Sequence, residues 1–138
     1  MIEQWRAVVG FEGSYEVSNI GRVRSLDRAI VYQKVDQYSG RTITVTKHMK
    51  GKMLRPGTTK SGHQFVMLGR GNGFLVHVLV LTAFVGPCPE GLECCHGDGK
   101  PAHNAVGNLR WDTRLANVHD MIRHGTKYIR RAGDRINA

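Results

Sequence analysis

Three shortages bound what this chain can be. Acidic residues are few: eleven Asp and Glu stand against twenty Lys and Arg, a formal charge of +9 at pH 7. A surplus of that size favours a polyanionic partner, nucleic acid ahead of an anionic membrane surface, without separating DNA from RNA. Cysteine is scarce too. Cys88, Cys94 and Cys95 make an odd number with no C-x-x-C pair. That argues against a disulfide framework or a zinc ribbon and fits a reducing, cytoplasmic setting. Long apolar stretches are missing: nothing reaches the roughly 18 residues of a membrane span, and the first residues hold no signal-peptide apolar region. The longest apolar run, Phe74 to Val85, is broken by His77 and Thr82 and reads as a buried helix.

What is present has room for one modest domain or two small interlocked units in 138 residues. Tyr15 to Ser18 and Arg22 to Leu26 are bursts of β-favouring residues around Asn19-Ile20-Gly21, which predicts two short strands joined by a tight bend. Strand alternation puts Arg22 and Arg24 on one face and Val23 on the other, so the two guanidiniums are candidates for clamping phosphate. Asp27 to Met49 is polar and mixed, with Thr42 to Thr46 reading as a strand and the whole as a possible inserted hairpin. Lys47, His48, Lys50 and Lys52 follow as a basic cluster, suited to a DNA backbone or to a solvated loop. Lys52 to Pro56, His63 to Leu68 and Gly73 to Val76 then read as strands of an antiparallel meander punctuated by glycines.

The stretch from Leu92 to His124 predicts a strand ending at His96, a Gly/Asp loop, a strand over Asn108 to Asp112 and a helix from about Thr113. Thr113 can cap the helix, Leu115, Val118 and Ile122 recur at helical spacing, and Gly125 follows the end.

These residues resemble the HNH endonucleases of phages and mobile introns, built on a ββα-metal finger. His96, Asn108 and Asn117 fill the three family positions, and CHGDG, NLRW and ANV match the family's wording. Trp5 and Gly10 to Leu26 (GFEGSYEVSNIGRVRSL) resemble the NUMOD4-like DNA-binding module that often precedes such a unit, and KMLRP, SGHQFVML and LVHVLVLTAF belong to the same resemblance. The implied architecture is α+β: a β-rich DNA-binding region over 1–73, a buried helix opening a nuclease domain over 74–125, and a basic tail over 126–138. The implied activity is metal-dependent hydrolysis of DNA phosphodiester bonds, leaving 5′-phosphate and 3′-hydroxyl ends.

Such hydrolysis needs a base for water and positive charge at the phosphate, which one imidazole and one divalent ion can supply. The resemblance makes His96 the general base. It makes Asn108 the residue that ties the loop across the hairpin and holds His96 in its productive tautomer, and Asn117 a metal ligand through its carbonyl oxygen. A hard oxygen donor suits Mg²⁺ or Mn²⁺. Relatives usually carry aspartate or histidine just before the base, whereas this chain has Cys95, a soft donor that suits Ni²⁺, Co²⁺ or Zn²⁺ better. Three arrangements stay open: Cys95 ligates a softer ion, Asp98 substitutes, or water fills the place. Asp98 is more simply a loop former, and Asp120, one helical turn from Asn117, is a reserve ligand. His77 has a histidine counterpart in the family and reads most simply as a satisfied core residue. Val78 departs from the family's basic residue.

Arg110, Arg114, Arg123, Lys127, Arg130 and Arg131 surround and follow the finger as further DNA contacts, and Trp111 reads as core. The expected partner is double-stranded DNA, with no membrane, inside a bacterial cell and encoded by a phage or mobile element. Monomer and homodimer remain open. Two other readings stand beside the nuclease: a DNA-binding protein with a degenerate, inactive finger, and a zinc-stabilised interaction domain using Cys88, Cys94, Cys95 and His96. Adjacent Cys94 and Cys95 point to opposite faces of a strand, which makes the zinc reading awkward.

Overall fold

The structure, a computed structural model, describes residues 2–125. Lys127, Arg130, Arg131 and the expected tail lie outside the described residues. Strands β1 (Trp5–Ala7), β2 (Tyr15–Ser18) and β3 (Val23–Ser25) form an antiparallel sheet in the order β1-β2-β3. The β2–β3 bend is closed by Ser18, whose Oγ accepts from the Arg22 N–H at 3.0 Å. Gly21 there has φ +93°, and a Cβ on it would stand 2.8 Å from the Asn104 Cβ, so only glycine fits.

Strands β4 (Arg28–Val35) and β5 (Thr42–Met49) pair in full register as a two-stranded ribbon. No ribbon residue is buried. Strands β6 (Gly57–Thr58), β7 (Gln64–Met67) and β8 (Gly73–Leu75) make the meander. The expected strand over Lys52 to Pro56 does not form. That segment lies beside β3 with a single bridge between Met53 and Arg24. Its backbone is satisfied piecemeal, by Ser25 and Val23 at Lys52 and Leu54, and Pro56 can donate nothing to a ladder.

Helix α1 (Val76–Phe84) follows directly from β8. It is apolar nearly all round, the mark of a helix covered on several sides, and it touches strands of three sheets. Val76, Leu79, Val80 and Leu81 join Val8, Tyr15, Val17, Val23, Val66, Leu68 and Leu109 in one buried cluster, with Trp111 packed against it. The core therefore draws on residues before and after position 74. Strands β9 (Glu93–His96) and β10 (Leu109–Asp112) form the last hairpin, and helix α2 (Arg114–Arg123) packs on β9. Thr113 caps α2, its Oγ1 accepting from the Ala116 N–H at 3.2 Å.

The α+β class, the buried helix and the ββα finger all stand. Leu115, expected on the apolar face of α2, is 65% exposed. The only fully buried residue of that helix is Asp120, so this helix is held by polar contacts more than by an apolar stripe. Among the described residues no helix is long and apolar enough to cross a membrane.

Candidate active site

The β9–β10 register pairs His96 with Leu109 and Cys95 with Arg110. Alternation along β9 sends Cys94 and His96 to one face and Glu93 and Cys95 to the other. The loop between the strands is tied by Asn108. Its Oδ1 accepts from the Asp98 N–H at 3.0 Å, and its Nδ2 donates to Asp98 Oδ1 at 3.0 Å and to the His103 carbonyl at 2.9 Å. Asp98 completes the knot by accepting from the Lys100 N–H at 2.9 Å and pairing with His103 Nδ1 at 2.5 Å. The bond from His103 holds the Asp98 carboxyl well below the usual carboxylate range. Asp98 is thus consumed in building the loop, and His124 Nε2–H, donating to the Gly97 carbonyl at 2.8 Å, closes the end of α2 over it.

His96 is buried, and its Nε2 lies 2.9 Å from Asn104 Oδ1. The expected partner of this ring was Asn108, yet the direct contact is with Asn104, which the Asn108 knot keeps in place at one remove. Asn104 Nδ2 donates in turn to Gln64 Oε1 at 3.1 Å. Two further imidazoles pack on His96. His77 lies 5.1 Å from His96 and His63 lies 5.6 Å from it, ring centroid to ring centroid. His77 is not the satisfied core histidine expected, because its Nδ1 is buried without a hydrogen-bond partner among the described residues. Burial first, then the neighbouring His96 and His63, push its pKa down to about 4. Burial likewise lowers that of His63, whose Nδ1 meets Ser61 Oγ at 2.7 Å.

His96 and Asn117 line one cleft of about 540 Å³, together with His63, Cys94 and Asp120. Asn117 Nδ2 donates to Glu93 Oε1 at 2.6 Å, which leaves its carbonyl oxygen unengaged among the described residues. Asp120, expected as a reserve ligand, is instead clasped by Arg110 at 2.5 Å and by Arg123. Displacing two guanidiniums from a buried carboxylate is costly, so it is a poor ligand. Cys95 is wholly buried, and burial pushes its thiol up to about 11, while the Cys94 thiol is pushed up to about 12. Both thiols are therefore protonated near neutrality, and among the described residues no three His, Cys, Asp or Glu side chains gather as a metal cage.

The arginines expected at DNA are mostly paired. Arg22 bonds Glu3, and Arg24 bonds Glu16 at 2.6 Å while lying 3.9 Å over the Trp5 ring. Arg110 also bonds Asp112 at 2.9 Å, whereas Arg114 is largely exposed with Glu93 at 3.9 Å. Arg22 and Arg24 do share a face, as alternation requires, but each meets a carboxylate there.

Residues 3–69 match the NUMOD4 motif and residues 74–119 match HNH endonuclease. The chain carries a NUMOD4 motif followed by an HNH endonuclease segment. It is 32% identical over 132 residues to the DNA endonuclease I-HmuI of Bacillus phage SP01, a match covering 94% of this chain and 63% of that protein. A solved structure of DNA binding and cleavage by the HNH homing endonuclease I-HmuI aligns with TM-score 0.65 over 91% of this chain and 62% of that one. This HNH chain thus spans a little under two thirds of that relative's length.

HNH endonucleases generally use a divalent metal ion. The free carbonyl oxygen of Asn117, on a cleft wall shared with His96, suits a hard cation that keeps most of its water. The thiol of Cys95 is not on that cleft wall, which Cys94 lines instead. Asn104, Gln64 and His63 are the site residues that the HNH pattern did not reveal. Asn104 looked like an ordinary loop residue, and its partner Gln64 lies forty residues away in sequence.

Proposed function

We propose that this chain is a metal-dependent DNA endonuclease that hydrolyses phosphodiester bonds with His96 as general base. The observation that carries the reading is the shared cleft: an imidazole from β9 and an unengaged carboxamide oxygen from α2 on its walls. With Nε2–H donated to Asn104 Oδ1, the lone pair of the His96 ring lies on Nδ1, where it takes the proton of the attacking water. Asn117 contributes its carbonyl oxygen as a metal ligand, held in place by the bond from its own Nδ2 to Glu93. When bound, the divalent ion supplies positive charge to the phosphate and the departing 3′-oxygen. The products are a 5′-phosphate and a 3′-hydroxyl.

The DNA-contacting surface we assign extends beyond the arginines of the finger to the ribbon. Register places Arg28, Ile30, Tyr32 and Lys34 on one face with Ile43, Val45, Lys47 and Met49. Neither ribbon strand contains a carboxylate, and a two-stranded ribbon has the width to enter a major groove.

One observation favours a second reading, a DNA-binding protein whose finger no longer turns over: the buried thiol of Cys95 at a position where the resemblance implies a stronger ligand. Supercoiled plasmid incubated with the full chain and Mg²⁺, Mn²⁺, Ni²⁺ or Co²⁺ separates the two. Nicked or linear product with ligatable 5′-phosphate ends supports the nuclease. Tight DNA binding without product in any of the four metals supports the binding module.

A further inference from the structure

We propose that Asn104, its amide fixed by Gln64, is a positioning residue that sets the tautomer and orientation of His96, so that the N-terminal segment completes the nuclease site. The proposal rests on His96 being the base, and it deepens that reading.

A neutral imidazole has one protonated nitrogen and one lone pair, and the partner of one nitrogen decides which is which. At His96 the partner of Nε2 is a carboxamide oxygen at 2.9 Å, an acceptor that requires Nε2–H and leaves Nδ1 as the base. If the Asn104 amide were reversed, its NH₂ would face the ring, the proton would move to Nδ1, and the ring would have no lone pair to offer water. Something must therefore hold the amide one way round. Gln64 Oε1 accepts from Asn104 Nδ2 at 3.1 Å, and reversal of Asn104 alone would set two oxygens against each other.

The backbone around Asn104 is gripped from the same side of the molecule. The Gly21 turn approaches so closely that a Cβ would stand 3.0 Å from the Asn104 carbonyl oxygen. The Asn19 carbonyl accepts from the Val106 N–H at 2.8 Å, just beyond. Asn104 itself is 3% exposed, so water does not compete for these bonds. Asn19, Gly21 and Gln64 all lie within the span matching the NUMOD4 motif, while His96 and Asn104 lie within the HNH span. The first segment, besides any DNA contact, supplies the second half of the support for the base.

The test uses the full chain labelled with ¹⁵N-histidine, at a pH where free imidazole is neutral. Long-range ¹H–¹⁵N correlation spectra are recorded for the wild type, Asn104→Ala, Gln64→Leu and Gln64→Glu, with plasmid cleavage measured in parallel at saturating metal. We expect a single Nε2–H tautomer at His96 in the wild type and in Gln64→Glu, which keeps an acceptor for Asn104. Asn104→Ala and Gln64→Leu should mix in the Nδ1–H form and cut roughly 10–100-fold more slowly, the usual effect of losing a group that orients a site residue. Gln64 is only half-buried, so the Leu and Glu pair decides the matter if Asn104→Ala does not fold. An Nδ1–H tautomer in the wild type overturns the proposal. So does a single Nε2–H form with undiminished cleavage in both disruptive variants. A tautomer shift in those variants alongside a wild type that cuts in no metal upholds the hydrogen-bond assignment and sinks the nuclease reading instead.

Discussion

The rings of His77 and His96 stand edge to face, 5.1 Å apart and inclined at 71°, with His77 buried on helix α1. Burying an imidazole with an unpartnered Nδ1 costs stability, and the neutral ring tolerates that position far better than the charged one. This gives a pH signature. Unfolded, His77 takes a proton near pH 6.5; folded, its pKa is pushed down to about 4. Between those values the unfolded chain binds a proton that the folded chain refuses, so stability falls as pH drops through the window. The loss should reach on the order of 3 kcal/mol by about pH 4. Urea titrations of the wild type and His77→Leu across that range should show a shallower fall in the variant. A residual slope is expected from His63, which is shifted the same way. Equal slopes in the two proteins would contradict the assignment.

Asn108 stitches the loop between β9 and β10 with three hydrogen bonds. Asn108→Ala should cost roughly 1–3 kcal/mol and speed amide hydrogen exchange across residues 97–104 while leaving α1 protected. Exchange spread evenly over the chain would mean that the residue supports the whole fold instead of the loop.

The family resemblance implies a harder ligand at position 95, where this chain has a buried thiol whose pKa is pushed up to about 11. Cys95→Asp should tighten Mn²⁺ binding, read by calorimetry without any DNA, by roughly 10-fold or more. It should also widen activity towards Mg²⁺. Unchanged affinity would mean that position 95 does not reach the ion.

The ribbon prediction concerns salt. Lys34→Gln with Lys47→Gln removes two cations from the apolar and basic face, and each lost phosphate contact should flatten the plot of log affinity against log salt by roughly 0.9. Fluorescence anisotropy at several salt concentrations reads this directly. An unaltered slope would show that the ribbon stands away from the DNA.

Much of this was legible in the residues because it is local. Thr113 caps the helix that follows it, Asn19 to Gly21 bend the chain, and the apolar run from Phe74 to Val85 carries the buried helix, although Leu75 and Val85 at its ends are exposed. The ββα finger follows from His96, Asn108 and Asn117 in order. What escaped depends on partners brought in from afar. Alternation places Arg22 and Arg24 on one face, but nothing local reveals Glu3 and Glu16 waiting there. Helical spacing made Leu115 an apolar contact, whereas Asp120 and its two arginines hold that helix. Asn104 has the look of a turn former until Gln64 and the Gly21 bend close on it. Lys52 to Pro56 has strand-like residues but meets β3 only at Met53.

The central claim is tested most directly by cleavage of supercoiled plasmid by His96→Ala beside the wild type, in the same divalent metal and with matched circular dichroism spectra. Loss of a general base should slow the variant by roughly 10²–10⁴-fold while DNA affinity holds within a few-fold. Equal rates from the two proteins would contradict the assignment of this imidazole as the base.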